Sequence, residues 1–244
     1  LHERHLERHL ERLLGVLLRR RLLAEFIGSA FLGAVVVGSG IAAQRLSPGA
    51  IGLELLENAG ATGLGLYSII LMFSPISGGH FTPVVSFIDA AFGGLSWRQA
   101  FAYLPAQVAG CSAGAVIANV MFSNAAISIS SHRRATSAHM LSEVVATLGL
   151  IVVIFALTRT GRSRSAPAAV GAYIGAAYFF TSSTSFANPA ITVGRMFTDT
   201  FAGIAPSSVA PFVLAQAVGG AIALAVLRGL FPLAQPYERN LNER

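Results

Sequence analysis

The chain has 244 residues, 54% of them hydrophobic and only 11% charged, where soluble domains carry roughly a quarter charged. So few charges cannot coat a globular surface, which excludes a disordered chain, a nucleic-acid-coating tail and most cytosolic enzymes. The net charge of +6 is built from 17 arginines and no lysine, and in so apolar a chain it reads as basic edges on one membrane face, with no nucleic-acid partner.

In chain order, the first element is short and repetitive. His5-Leu6-Glu7-Arg8 recurs as His9-Leu10-Glu11-Arg12, and Leu6, Leu10, Leu13 and Leu17 share one helical face. Residues 1–21 are therefore expected as a cytoplasmic amphipathic helix on the inner membrane surface. His5 and His9, at i and i+4, lack a third ligand nearby, so a solvated face is expected rather than a metal site. The first apolar run outlasts a signal-peptide core, so no cleavable signal is expected.

Six apolar stretches follow, at about 22–43, 52–76, 99–122, 138–158, 167–184 and 208–231, each near the roughly 20 residues needed to cross a bilayer. Two others are too short to cross: His80 to about Phe92, and Phe186 to about Phe197. Each opens on a cap residue followed by proline, Thr82-Pro83 and Asn188-Pro189, which suits a helix start. Short apolar helices with polar caps read as re-entrant half-helices, tolerated at membrane depth where protein or a cavity surrounds them. The lone Cys111 lies in an apolar stretch and is expected to pack inertly.

With the N-terminus inside, thirteen arginines fall on cytoplasmic segments and three (Arg45, Arg133, Arg134) on outer loops. That bias places a multi-pass chain in the plasma (inner) membrane with both termini cytoplasmic, the second being the tail 233–244.

The chain also repeats itself. Leu23-Ala24-Glu25-Phe26 corresponds to Leu141-Ser142-Glu143-Val144, the two short segments correspond, and Ala106-Gln107-Val108-Ala109-Gly110 matches Ala215-Gln216-Ala217-Val218-Gly219. Two copies of three spans plus one half-helix, about 22–122 and 138–231, must be inverted relative to one another. The half-helices then enter from opposite sides and their N-termini meet near the midplane. Glu25 and Glu143 stand inside spans, where a carboxylate marks a functional site by default. Satisfying the bare N–H groups of the two loops explains a carboxylate in each repeat better than proton relay does. Gly110 with Gly114, and Gly171 with Gly175, have the spacing of close helix approach.

Opposed helix N-termini repel cations and offer hydrogen-bond donors to neutral solutes. Asn188 can cap its helix through the amide oxygen while its NH₂ faces the solute. This points to a passive channel for small uncharged molecules, with no cofactor. An ion-conducting pore and a non-conducting structural role are the weaker alternatives.

Ala24-Glu25-Phe26, Ser77-Gly78-Gly79-His80-Phe81-Thr82-Pro83-Val84, Ser142-Glu143 and Asn188-Pro189-Ala190, in this inverted arrangement, resemble the major intrinsic proteins, the aquaporins and glycerol facilitators. The likeness covers about residues 22–232. It implies an all-α membrane fold of six transmembrane helices plus two half-helices, one pore per subunit and a homotetramer. It places Thr82, Pro83, Val84, Asn188, Pro189 and Ala190 at the pore midplane, and filter positions at Thr62, Ala176, Ser185 and Ile191. Two departures stand out: the family's first Asn is Thr82, whose shorter hydroxyl is expected to cap its helix and still donate to the pore, and its filter arginine is Ile191. The filter is accordingly expected to be wide, uncharged and arginine-free, passing water plus larger solutes such as glycerol, arsenous acid or methylated arsenic species. The stretch Phe186–Thr192 with Asp199–Gly203 resembles bacterial channels associated with arsenic resistance. A strict water channel is the alternative. Arg195, one turn beyond Ile191, either guards the outer vestibule, caps the half-helix or snorkels. His80 is expected to make a structural hydrogen bond in its loop.

Overall fold

A computed structural model describes the backbone of residues 2–231 and the side chains from Gly15 to Phe231. The long apolar runs form α1 (His2–Leu46), α2 (Ile51–Ser77), α4 (Trp97–Met121), α5 (Ser137–Arg159), α6 (Ala166–Phe180) and α8 (Pro206–Leu230). The two short segments form α3 (Pro83–Ala91) and α7 (Pro189–Gly194), the latter running into a 3₁₀ turn, Arg195–Phe197. Local chemistry explains the starts. Ser96 and Gln99 make a reciprocal capping box at α4, Thr136 caps α5 by accepting from His139 N, and proline opens α3, α7 and α8. α2 stops at Gly78, whose φ of 97° is the left-handed conformation that glycine adopts freely.

Hydrogen bonds between helix ends fix the topology. Arg45 at the end of α1 donates to the Phe122 carbonyl and to Asn124 Oδ1 just after α4. Tyr103 near the start of α4 donates to Ser77 O at the end of α2, and Arg159 closing α5 donates to Phe231 O after α8. Consecutive crossing helices therefore alternate in direction. α3 descends from the face where the crossing part of α1 starts (the N-terminal face), and α7 from the opposite face. The chain is a multi-pass, all-α membrane protein with the inverted architecture of six crossings and two half-helices.

Close crossings occur where glycine removes the side chain. A Cβ on Gly110 or Gly114 would stand 2.3 or 2.1 Å from a carbonyl oxygen of α1 (Phe26 or Ala30), so nothing larger fits between α1 and α4. Gly219 meets Val144 O at 2.5 Å, the same contact in the second repeat, and Gly171 meets Gly63 O at 2.5 Å between α6 and α2. Helices here gain from packing rather than from escaping water, so backbone proximity carries the contact. The large exposed side chains, such as Leu64, Phe101, Leu141 and Leu214, lie where lipid would meet them.

Two expectations change. The surface helix expected over residues 1–21 is continuous with the first span in α1; the side chains of residues 1–14, including His5, His9 and the Leu6/Leu10/Leu13 face, lie outside the described residues, as does the tail 233–244. Five helices are long and apolar enough to cross by length and composition. α6, expected at 167–184, has only 15 residues, about 22 Å of helix. The chain leaves it at Thr181, whose extended backbone starts the descent into the second re-entrant loop.

Candidate functional site

Two buried carboxylates organise the loops that carry the half-helices. Glu25 Oε1 accepts from Ser77 Oγ (2.6 Å) and His80 N (3.0 Å), while Oε2 accepts from Phe81 N and Gln107 Nε2 (both 2.8 Å). Glu143 does the same in the second repeat: Oε1 accepts from Ser183 Oγ (2.6 Å) and Phe186 N (2.9 Å), and Oε2 from Ala187 N (2.9 Å) and Gln216 Nε2 (2.6 Å). Each glutamine also reaches a hydroxyl on its half-helix, Ser86 at 3.1 Å or Thr192 at 3.0 Å. Phe81, Ser185 and Ala187 are held at φ of 52°, 49° and 47°, which costs energy for residues with a Cβ. Four donors converging on each carboxylate offset that strain and leave no oxygen for proton relay.

The loop tips differ. Asn188 Oδ1 accepts from Ala190 N (2.8 Å) and Ile191 N (3.3 Å), capping α7, and its Nδ2 donates to Phe81 O (2.7 Å), tying the two loops together. One amide proton remains for the lumen. Thr82, expected to cap α3, makes no side-chain cap bond. Its Oγ1 is buried without a protein partner, unlike the Thr136 hydroxyl, which caps α5. Pro83, Val84, Pro189 and Ala190 form the first turns behind the caps, and Val84 packs against α8, where a Cβ on Gly220 would meet its Cγ1 at 2.6 Å.

An internal cavity of about 70 Å³ runs past the tips, from His80 and Gly79 on the N-terminal side to Ile191 and Arg195 on the other. Thr62, Thr82, Ser185, Asn188, Ile191, His80 and Arg195 all line it. Leu66, Ile70, Val85, Leu150, Ile154 and Ile174 give it an apolar wall. Ser185 Oγ, like Thr82 Oγ1, is buried without a protein partner.

Of the four residues expected at the filter, Thr62, Ser185 and Ile191 line the cavity and Ala176 does not. Ala176 lies exposed on the outer side of α6 and does not reach the cavity; Tyr178, two residues on, does, with its hydroxyl 3.2 Å from Thr62 Oγ1. Two residues are about 200° of helix, enough to exchange an inward for an outward position. The lining is also not charge-free. Ile191 stands where expected, but the Arg195 guanidinium enters the same cavity, with Cζ 3.4 Å from the centroid of the Phe186 ring and Nε donating to Ala202 O. The backbone of Arg195 is also the C-cap of α7, with the N–H donating to Ile191 O, and the cavity lining carries a phenol and a guanidinium.

His80 makes the structural hydrogen bond expected of it, Nδ1 to Ser86 Oγ at 3.0 Å, and stands edge-on to the Tyr103 ring. With Asp89, whose Oδ2 is 3.7 Å from His80 Nε2, it also borders a vestibule of about 530 Å³ on the N-terminal face. On the other face Asp199 accepts from Ser131 N (2.9 Å) and Ser131 Oγ (3.0 Å), which holds its carboxyl below the usual range, the backbone bond first. The residues that sequence reasoning left out are Tyr178, Phe186, Ser77 and Ser183. The serines were visible in the repeat: each stands six residues before the proline of its half-helix.

Comparison with known proteins agrees with this architecture. Residues 13–186 match the family described as "Major intrinsic protein". The chain is 45% identical to "Aquaglyceroporin AqpS" of Rhizobium meliloti (strain 1021) over 222 residues, 91% of this chain and 94% of that protein. It is 30% identical to "Aquaporin TIP1-2" of Zea mays over 70% of this chain and 72% of that one. Its fold is similar to the X-ray structure of the aquaglyceroporin from Plasmodium falciparum, with a TM-score of 0.69 at 19% identity, covering 88% of this chain and 97% of that one. With paired loops, inverted repeats and a lumen between the tips, the chain belongs to the major intrinsic protein family and is a membrane channel, not an enzyme.

Proposed function

We propose that water and small uncharged hydroxylated solutes, glycerol-like polyols first, cross passively between the two loop tips. Thr82 and Asn188 form the midplane station in this reading, and Thr62, Tyr178, Ser185 and Ile191 the narrow ring. The observation that carries it is the lining. Unpaired hydroxyls of Thr82 and Ser185 and a spare Asn188 amide proton face an otherwise apolar wall, and buried polar groups left unpaired are costly unless a passing solute pairs them. The aquaglyceroporin name of the Rhizobium relative supports polyols. Arsenous acid and methylated arsenic species fall in the same class of neutral hydroxylated solutes.

Stopped-flow measurement on proteoliposomes tests this: glycerol and water flux above empty liposomes, with low activation energy, is expected. Flux of water alone would favour the second reading, a water-selective channel, which the narrow lumen with Tyr178 and Arg195 supports. No flux at all would reject both. We further infer a homotetramer in the plasma membrane with both termini cytoplasmic. The arginine bias supports the orientation, and an exposed apolar cleft of α2 and α6, with Gly60, Gly63, Gly171 and Gly175, supports lateral packing. Native mass spectrometry showing a monomer, or labelling of the tails from outside, would refute these parts.

A further inference from the structure

A second polar hollow lies apart from the lumen. On the face opposite the N-terminus, the ends of α1 and α4 and the segment after the 3₁₀ turn border a cavity of about 390 Å³, which shares no lining residue with the lumen. Small-molecule sites run from roughly 300 to 1,000 Å³, and this one falls among them, whereas the lumen cavity has about 70 Å³.

Most residues on its wall are polar, and their hydrogen-bonding groups are only partly used. Asn119, 1% exposed, donates to Ala126 O (3.1 Å) and Phe197 O (2.9 Å), and its Oδ1 is buried with no protein donor. Gln44 does the reverse: its Oε1 accepts from Phe201 N (3.0 Å), which leaves its NH₂. Thr198 and Thr200 are 3.0 Å apart at Oγ1, so one hydroxyl proton serves that bond and the other remains. Arg45 is fixed through one nitrogen, Nη2, to Phe122 O (2.6 Å) and Asn124 Oδ1 (3.0 Å). Asp199 accepts from Ser131 through Oδ1 alone, with His132 Nε2 3.7 Å from the same oxygen.

We propose that this hollow binds a neutral polyhydroxylated molecule of hexitol or pyranose size, docked on the face opposite the N-terminus and larger than the lumen cavity admits. Arg45 and Asp199 cancel in net charge, so an anion gains at one and loses at the other, and a cation the reverse. Vicinal hydroxyls both donate and accept at each carbon. They match the donors of Gln44 and Arg45 and the acceptors of Asn119 and Asp199 without bringing a charge. A buried acceptor without a donor is costly, and a hydroxyl at Asn119 Oδ1 relieves that cost. A zwitterion finds partners at both charges but leaves the amides and threonines unanswered. The inference does not depend on the channel reading.

Saturation-transfer difference NMR on the full chain in detergent, with sorbitol as the probe, tests it. Saturable binding in the millimolar range is expected in wild type. Thr200→Val and Arg45→Gln, each checked for folding by thermal unfolding, are expected to weaken it on the order of tenfold through lost hydrogen bonds. Should one of them fail to fold, the other decides. No saturable binding, wild-type binding in the folded variants, or stronger binding of zwitterionic serine than of sorbitol each overturns the proposal. Wild-type protein that passes no solute in proteoliposomes would instead reject the channel reading and leave the sorbitol result as it stands.

Discussion

The two re-entrant loops share one scaffold and differ at their tips. Glu25 and Glu143 each gather a serine hydroxyl, two consecutive backbone N–H groups and a glutamine amide at matching distances. At the tips, Asn188 caps its helix and bonds across to Phe81, whereas Thr82 does neither. The comparison separates two kinds of constraint. Bringing a bare loop to membrane depth has the same solution in both copies, because the unpaired donors are the same. What the tips present to a solute is free to diverge.

The strongest way to break the comparison is to remove the carboxylates. Glu25→Leu and Glu143→Leu are each expected to cost about 3 kcal/mol or more, since buried N–H groups lose a charged acceptor, and to abolish monodisperse protein in size exclusion. A large difference between the two would contradict the shared scaffold. At the tips the outcomes should diverge. Asn188→Ala removes a two-bond cap and the bridge to Phe81 and is expected to cost about 2 kcal/mol. Thr82→Ala, losing no bond, should fall within about 0.5 kcal/mol of wild type in thermal unfolding. Thr82→Asn would make the tips alike. It is expected to stabilise by about 1 kcal/mol by supplying the missing cap, and an unchanged melting temperature would show that α3 has no room for one.

The smallest effect lies outside the loops. Asp199 is acidified by its bonds to Ser131, so its contribution to holding the two outer segments together is present above the ordinary carboxyl value of 3.8. It is lost as pH falls through the lower folded value. Hydrogen exchange at the Ser131 amide should therefore stay slow at neutral and mildly acid pH, rise in strong acid, and be fast at all pH in Asp199→Ala.

Most of the architecture was legible because it is written twice: the glutamates, the cap–proline pairs and the Ala-Gln marks recur in order. The cavity was less legible, for three separate reasons. Counting residues back from the second triplet assumes a fixed path, which the early end of α6 and the left-handed turns at Thr184, Ser185 and Ala187 break, and Tyr178 rather than Ala176 lines the cavity. Thr82 was a chemically reasonable cap, as Thr136 is for α5, yet its hydroxyl is not turned to the α3 N–H groups. Arg195 shared a helical face with Ile191 in sequence; its burial against Phe186 depends on a loop folded from residues distant along α5 and α6.

The bond from Asn188 to the carbonyl of Phe81 bears on how the protein comes to be made. Gly194 abuts the Cys111 backbone of α4, where an added Cβ would stand 2.7 Å from the carbonyl carbon. The later dagger of chain thus docks on a wall that the ribosome has already delivered. The earlier one, lacking a clasp of its own, is finished only when its counterpart arrives with one. The cavity between the tips thus has its full lining only once both halves of the chain have been synthesised.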